Sequence, residues 1–339
     1  MQRDTDPKSI FLMRDITRIA LPLEIRRAFC RVAVLALMLT SGVWNFSARA
    51  HPGSGIAVDR HGRVYFTDTG QGVWKIEESG RVSRHEGPAF HWLAIDRVDR
   101  FADTPWPAFL EPSTQIQKVG RNPTLLLASD FPVTMDREGA LYYPEFGDNE
   151  RLRVYRLLPS GERVVLATLP AAADGTRLKW LNGIAAGPDG AIYYSENAAV
   201  RRISPQGAIT TLASDVVVVD CVRIPGASER LGPFLRGLDV APDGAVYVAA
   251  NACGALVKIS PDGKVVPVLR TTSPWSPTGV TVSGDSILVL EYLHTASDTR
   301  REWIPRVRRI STDGSSEIIA AIERTGASES RAVPVVRRR

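Results

Sequence analysis

The chain has 339 residues, 44% of them hydrophobic, enough to bury a large core without metals or disulfide staples. Its formal charge of +5 sits at its ends: residues 1–50 hold eight Lys/Arg against four acids, Arg331–Arg339 hold four Arg and no acid, and residues 51–330 hold 30 basic against 33 acidic residues. A body with no positive excess excludes an electrostatic nucleic-acid surface, and no nucleic-acid partner is expected.

Residues 1–50 come first. "RRAFCRVAVLALMLTSGVWNFSARA" has a basic start, an apolar run from Val32 to Leu39, and small residues at Ala48 and Ala50 before His51. That order predicts a leader cleaved at an A-x-A site, with an apolar run too short for a stable membrane span. The chain is therefore expected to be exported, periplasmic or secreted, with residues 1–50 removed. Cys30 would leave with the leader, so Cys221 and Cys253 would meet in an oxidising compartment, where a pair of thiols more often forms a bridge.

From residue 51 one pattern repeats. "GIAVDRHGRVYFTDT", "PVTMDREGALYYPEF", "GIAAGPDGAIYYSEN" and "GLDVAPDGAVYVAAN" are four copies, "GVTVSGDSILVLEY" is one residue shorter, and "WLAIDRVDRFAD" is a degenerate copy. Their first residues are Gly55, Trp92, Pro132, Gly183, Gly237 and Gly279, spaced by 37, 40, 51, 54 and 42 residues. A second hairpin follows each clear copy, as in "VWKIEESGRVSRH", "VRRISPQGAITTLA", "LVKISPDGKVVPVL" and "RVRRISTDGSSEIIA". Pro presets φ in these turns, Asp bonds its own backbone and Gly accepts positive φ. Periods near forty with four strands each predict an all-β fold, a six-bladed β-propeller of four antiparallel strands per blade over residues 51–322. Residues 323–339 read as a basic, unstructured tail.

In such a blade the first strand lines the central channel and the second returns to the same face. Two rings should therefore share one mouth: Ser54, His91, Phe131, Asn182, Arg236 and Thr278, and the strand-end acids Asp68, Glu145, Glu196 and Glu291, with Asp103 in the degenerate copy. Carboxylates gathered at one opening repel unless something positive joins them. A hard divalent cation, calcium above all, held by Asn182, Glu196 and Glu291 is one answer. Pairing with Arg236 is another, and acids that simply cap their turns in solvent are a third. His91, Glu145 and Arg236 are the candidate catalytic residues at this mouth. Trp92, Trp180 and Trp275 stand near blade starts, as pocket walls or as packing between blades. No nucleophile elbow, phosphate loop or zinc motif occurs.

This pattern, above all "WLNGIAAGPDGAIYYSEN", resembles the senescence-marker-protein/gluconolactonase family and its NHL-repeat relatives, over roughly Gly53 to Ala320. The resemblance implies hydrolysis of sugar lactones and some esters with one divalent cation. Its ligands would be a Glu in the first blade, an Asn before a Gly, and an Asp in the next blade. Asn182 matches the Asn, whereas Ser54 and Arg236 stand at the other two positions. Two functions fit: a cation-dependent hydrolase of small lactones or esters, or a non-catalytic propeller binding a small ligand or a protein on the same face.

Overall fold

The computed structural model describes residues 52–69, 71–85, 90–96, 116–119, 125–129, 131–147, 150–225, 232–294, 303–324 and 330–333. Residues 1–50, the site of the expected leader, and Asp103 lie outside them.

The described strands form six antiparallel sheets. In chain order the first is β1 (Ile56–Val58), β2 (Val64–Asp68), β3 (Gly72–Ile76) and β4 (Val82–His85). The second holds β5 (Trp92–Asp96), β6 (Ile116–Val119) and β7 (Leu125–Ser129), and the third β8 (Thr134–Met135), β9 (Leu141–Phe146), β10 (Leu152–Leu157) and β11 (Arg163–Thr168). The fourth is β12 (Gly183–Ala186), β13 (Ile192–Ser195), β14 (Val200–Ile203) and β15 (Ile209–Ala213), and the fifth β16 (Leu235–Val240), β17 (Val246–Ala250), β18 (Ala255–Ile259) and β19 (Val265–Arg270). The last is β20 (Trp275–Ser283), β21 (Ser286–Leu293), β22 (Pro305–Ile310), β23 (Ser316–Arg324) and β24 (Ser330–Val333).

This is an all-β propeller whose blades are four-stranded antiparallel meanders. Five sheets have at least four strands, against the six expected. The sheet that departs starts at the degenerate copy: β5 pairs with β7, and β6 lies outside β7. Residues 97–115, which follow β5, lie outside the described residues, and "WLAIDRVDRFAD" lacks the Gly turn that returns the chain in the other copies. The end of the chain also departs from expectation. Within the segment read as a tail, β24 pairs with β23, and Arg331 reaches Glu323 at 3.2 Å, adding a fifth strand to the last blade.

Turn chemistry explains the repeat. Asp59 Oδ1 accepts the backbone N–H groups of His61 and Arg63, each at 2.9 Å, and its Oδ2 accepts the Tyr65 hydroxyl. Asp136 repeats this with the N–H groups of Glu138 and Ala140 and the Tyr142 hydroxyl. One carboxylate thus closes the turn and ties it to the returning strand. The core lies between neighbouring sheets. Ala185, Tyr193 and Val200 of the fourth pack with Val240, Val248 and Val257 of the fifth, and Tyr142 and Val154 of the third pack with Ile184 and Tyr194 of the fourth.

After β15, the described residues 214–225 are held to the fourth and fifth blades at several points. The Val216 N–H donates to the Ala198 carbonyl at 2.7 Å, and a disulfide joins Cys221 to Cys253 in the turn after β17. The bridge closes a loop of 32 residues, a constraint of about 3 kcal/mol in the chain-entropy account. Cys221→Ser/Cys253→Ser is expected to lower the unfolding free energy by about that amount, read as a lower urea midpoint, with a slope that rises if anything because the denatured chain is less compact. An unchanged midpoint would show that the backbone contacts hold residues 214–225 without the bridge.

Candidate functional site

The strand-end acids do not converge on a common ion. Each is answered by arginine. Asp68, fully buried, accepts from both terminal amines of Arg324 at 2.6 and 2.8 Å and from Trp74 Nε1 at 3.1 Å. Glu291, also fully buried, lies between Arg306 Nε at 2.5 Å and Arg308 Nε at 2.6 Å, and Arg306 stacks over the Trp275 ring. Glu145 is exposed and pairs with Arg163, whose guanidinium lies 3.7 Å from the centre of the Tyr155 ring. Glu196 takes Arg201 Nε at 2.8 Å. Arginine pairing is therefore the answer to the carboxylate repulsion, with Arg324, Arg306, Arg308, Arg163 and Arg201 as partners in place of Arg236.

The mouth residues have structural work. The guanidinium of Arg236, buried at the start of the fifth blade, donates to the Pro52 carbonyl at 2.5 Å, joining that blade to the segment before β1. The His91 carbonyl accepts the N–H groups of Ser54 and Gly55, and its own N–H donates to Ser129. Of the six predicted site residues, the structure brings Asn182 and Glu196 into one cleft. His91, Glu145, Arg236 and Glu291 do not line it.

That cleft holds about 750 Å³ and is bounded by residues 172–174, 176–180, Asn182, 196–198 and Gly232. Its form follows from the alternation around Trp180. Leu178 and Leu181 are buried in the core between the third and fourth blades, so Lys179 and Trp180 between them face outward. Asn182 comes next, its N–H on the Ser195 carbonyl and its Nδ2 donating to Asn197 Oδ1 at 3.2 Å. Glu196 sits deeper, 4% exposed, and its Oε2 accepts the Ala173 N–H at 2.8 Å. Burial pushes the Glu196 carboxyl above the ordinary carboxylate value; the Ala173 N–H and Arg201 pull the other way and only partly offset it. A buried carboxyl of raised pKa in one cleft with two side-chain amides can take up and release a proton while the amides bind an oxygen. The segment 170–177 was not legible as a wall, since "LPAAADGTRLKW" reads only as a loop.

These residues do not fit a bound calcium ion. Calcium takes six to eight oxygen ligands, whereas the carboxylates of Glu196 and Glu291 are already held by guanidinium groups. Among the described residues, no three His, Cys, Asp or Glu side chains gather where one ion could join them.

No family model matches the chain, and no curated protein matches it. Several solved structures are similar to it. Virginiamycin B lyase from Staphylococcus aureus is 16% identical, with 80% of this chain and 85% of that one covered at a TM-score of 0.45. Regucalcin from Agrobacterium tumefaciens, a calcium-binding protein, is 17% identical over 70% and 81% at 0.44. A gluconolactonase from Xanthomonas campestris is 13% identical over 69% and 67% at 0.34.

Proposed function

We propose that this chain is an exported six-bladed propeller hydrolase that cleaves small lactones or esters in the cleft around Asn182, Glu196 and Asn197. The three-stranded sheet of β5, β7 and β6 is its second blade. In support, the inner strands are neighbours in a closed series, β1 to β5, β8, β12, β16, β20 and back to β1.

The observation that carries the activity is the buried Glu196 carboxyl, raised by desolvation, in the same cleft as two amides. Glu196 acts as a general base on water. The water oxygen bonds to the carbonyl carbon, the C–O bond to the leaving alkoxide breaks, and the proton taken by Glu196 passes to that alkoxide. The free N–H groups of Asn197, oriented by its bond to Asn182, receive the developing charge on the carbonyl oxygen. Arg201 and the Ala173 N–H hold the carboxylate in place.

Glu196 is neutral below its raised pKa and a base above it. The rate constant kcat/KM is therefore expected to rise with pH through a midpoint above that of an ordinary carboxylate. Glu196→Gln should lower kcat/KM at least about a hundredfold on a lactone and aryl-ester panel, without loss of fold by circular dichroism. Turnover should survive a chelator. Loss of activity with chelator would overturn the metal-free site, and no turnover of any panel member would leave a binding propeller in place of the hydrolase.

A further inference from the structure

The charges around this cleft cancel in pairs, except those of Asp174 and Lys179, which form no ion pair among the described residues. Arg177 donates to Glu150 Oε2 at 2.7 Å, and Glu196 meets Arg201 at 2.8 Å. The Asp174 carboxylate turns back on its own loop, accepting the N–H and hydroxyl of Thr176 at 2.9 and 2.6 Å. Lys179 lines the same cleft, and no carboxylate among the described residues pairs with it. Its place is imposed: with Leu178 and Leu181 anchored in the core, the chain cannot turn Lys179 and Trp180 inward. Trp180 leaves 45% of its surface exposed, unusual for the largest apolar side chain.

We propose, building on the hydrolase reading, that Lys179 and Trp180 make the cleft selective for ring-bearing esters or lactones that carry a carboxylate. The indole receives the ring by stacking, and the ammonium receives the carboxylate. Asn197 and Glu196 remain for the carbonyl and the water. A neutral ester of the same shape fills the same space and leaves the Lys179 charge unanswered. Selectivity here rests on one partly solvated ion pair, so it is modest and sensitive to salt.

A matched pair of substrates, phenyl acetate and carboxyphenyl acetate, tests this on the whole exported chain. The carboxylated ester should be preferred in kcat/KM by about fivefold at low salt, and the preference should fade by about 1 M salt. Lys179→Gln should abolish the preference, and Lys179→Glu should invert it. Trp180→Ala should lower both substrates alike, by about fivefold. Turnover of both esters without preference, or a preference that survives Lys179→Gln, overturns the assignment and leaves the hydrolase reading standing. If neither ester turns over, the lactone and aryl-ester panel decides the hydrolase reading and calorimetry with benzoate and benzamide decides the anion site. Tighter benzoate binding lost in Lys179→Gln supports it, and equal or absent binding overturns it.

Discussion

Asp68→Ala is expected to destabilise the propeller by about 3–5 kcal/mol, because it leaves the Arg324 guanidinium without its buried counter-charge. A propeller must join its last blade to its first. Here every sheet is local in sequence, and no described strand is shared between the two ends of the chain. The junction therefore rests on side chains. Arg324, at the end of β23, grips Asp68 at the end of β2 and also donates to the Trp303 carbonyl. Tyr292 of β21 donates its hydroxyl to the Thr67 carbonyl at 2.6 Å and accepts the Thr69 N–H at 3.2 Å. Asp68 has no solvent to fall back on, so removing either member exposes the full desolvation cost of the other. Urea unfolding of Asp68→Ala, Arg324→Met and the double variant measures this. The double variant should recover part of the loss, since it leaves neither charge stranded. A loss under about 1 kcal/mol for both single variants would show that the apolar interface alone closes the ring.

The repeat was legible because it is written in residues with strong local rules. Glycines open most copies because the inner strands nearly touch: a Cβ at Gly279 would meet the Ser54 carbonyl, and one at Gly183 the Arg236 carbonyl. The Asp of each "DRxG" turn acts on its own neighbours, so its role reads from spacing alone. The meeting of Asn182 and Glu196 was legible for the same reason: strand register puts Gly183 opposite Ser195, and their neighbours follow. The arginine partners were not, because their positions depend on registers across further hairpins. Glu291 stands opposite Arg306 only once the length of the β21–β22 connection is known, and Arg324 lies 256 residues from Asp68. The missing signal was the "VRR" beginning of third strands, in "AVRRI" and "RVRRI". Arginine alternating with apolar residues beside a strand-end acid marks an ion pair across the sheet. The degenerate second copy failed for the opposite reason: without a turn signal, nothing local sets which strand β5 will meet.

Glu291 and Glu145 occupy the same column of the repeat, and burial alone separates their expected effects. Glu291 is fully buried between two arginines, one of which also stacks on Trp275. Burial pushes the Arg306 guanidinium below its ordinary pKa, and the Glu291 carboxylate pulls it back up. Glu291→Ala strands two cations against each other in the last blade and is expected to cost about 3–5 kcal/mol. Glu145 has 46% of its side chain exposed, and its Arg163 partner keeps the contact with Tyr155 when the acid is gone. Glu145→Ala should therefore cost about 0–1 kcal/mol. The pair also tests the choice between an ion and arginine at these acids. If Glu291 were a cation ligand, its stability contribution would depend on added calcium; as an ion-pair hub, it should not. Thermal unfolding of the wild type and both variants, with calcium and with chelator, reads this directly. Equal losses for the two variants, or a calcium-dependent loss for Glu291→Ala, would overturn the arginine assignment at this position.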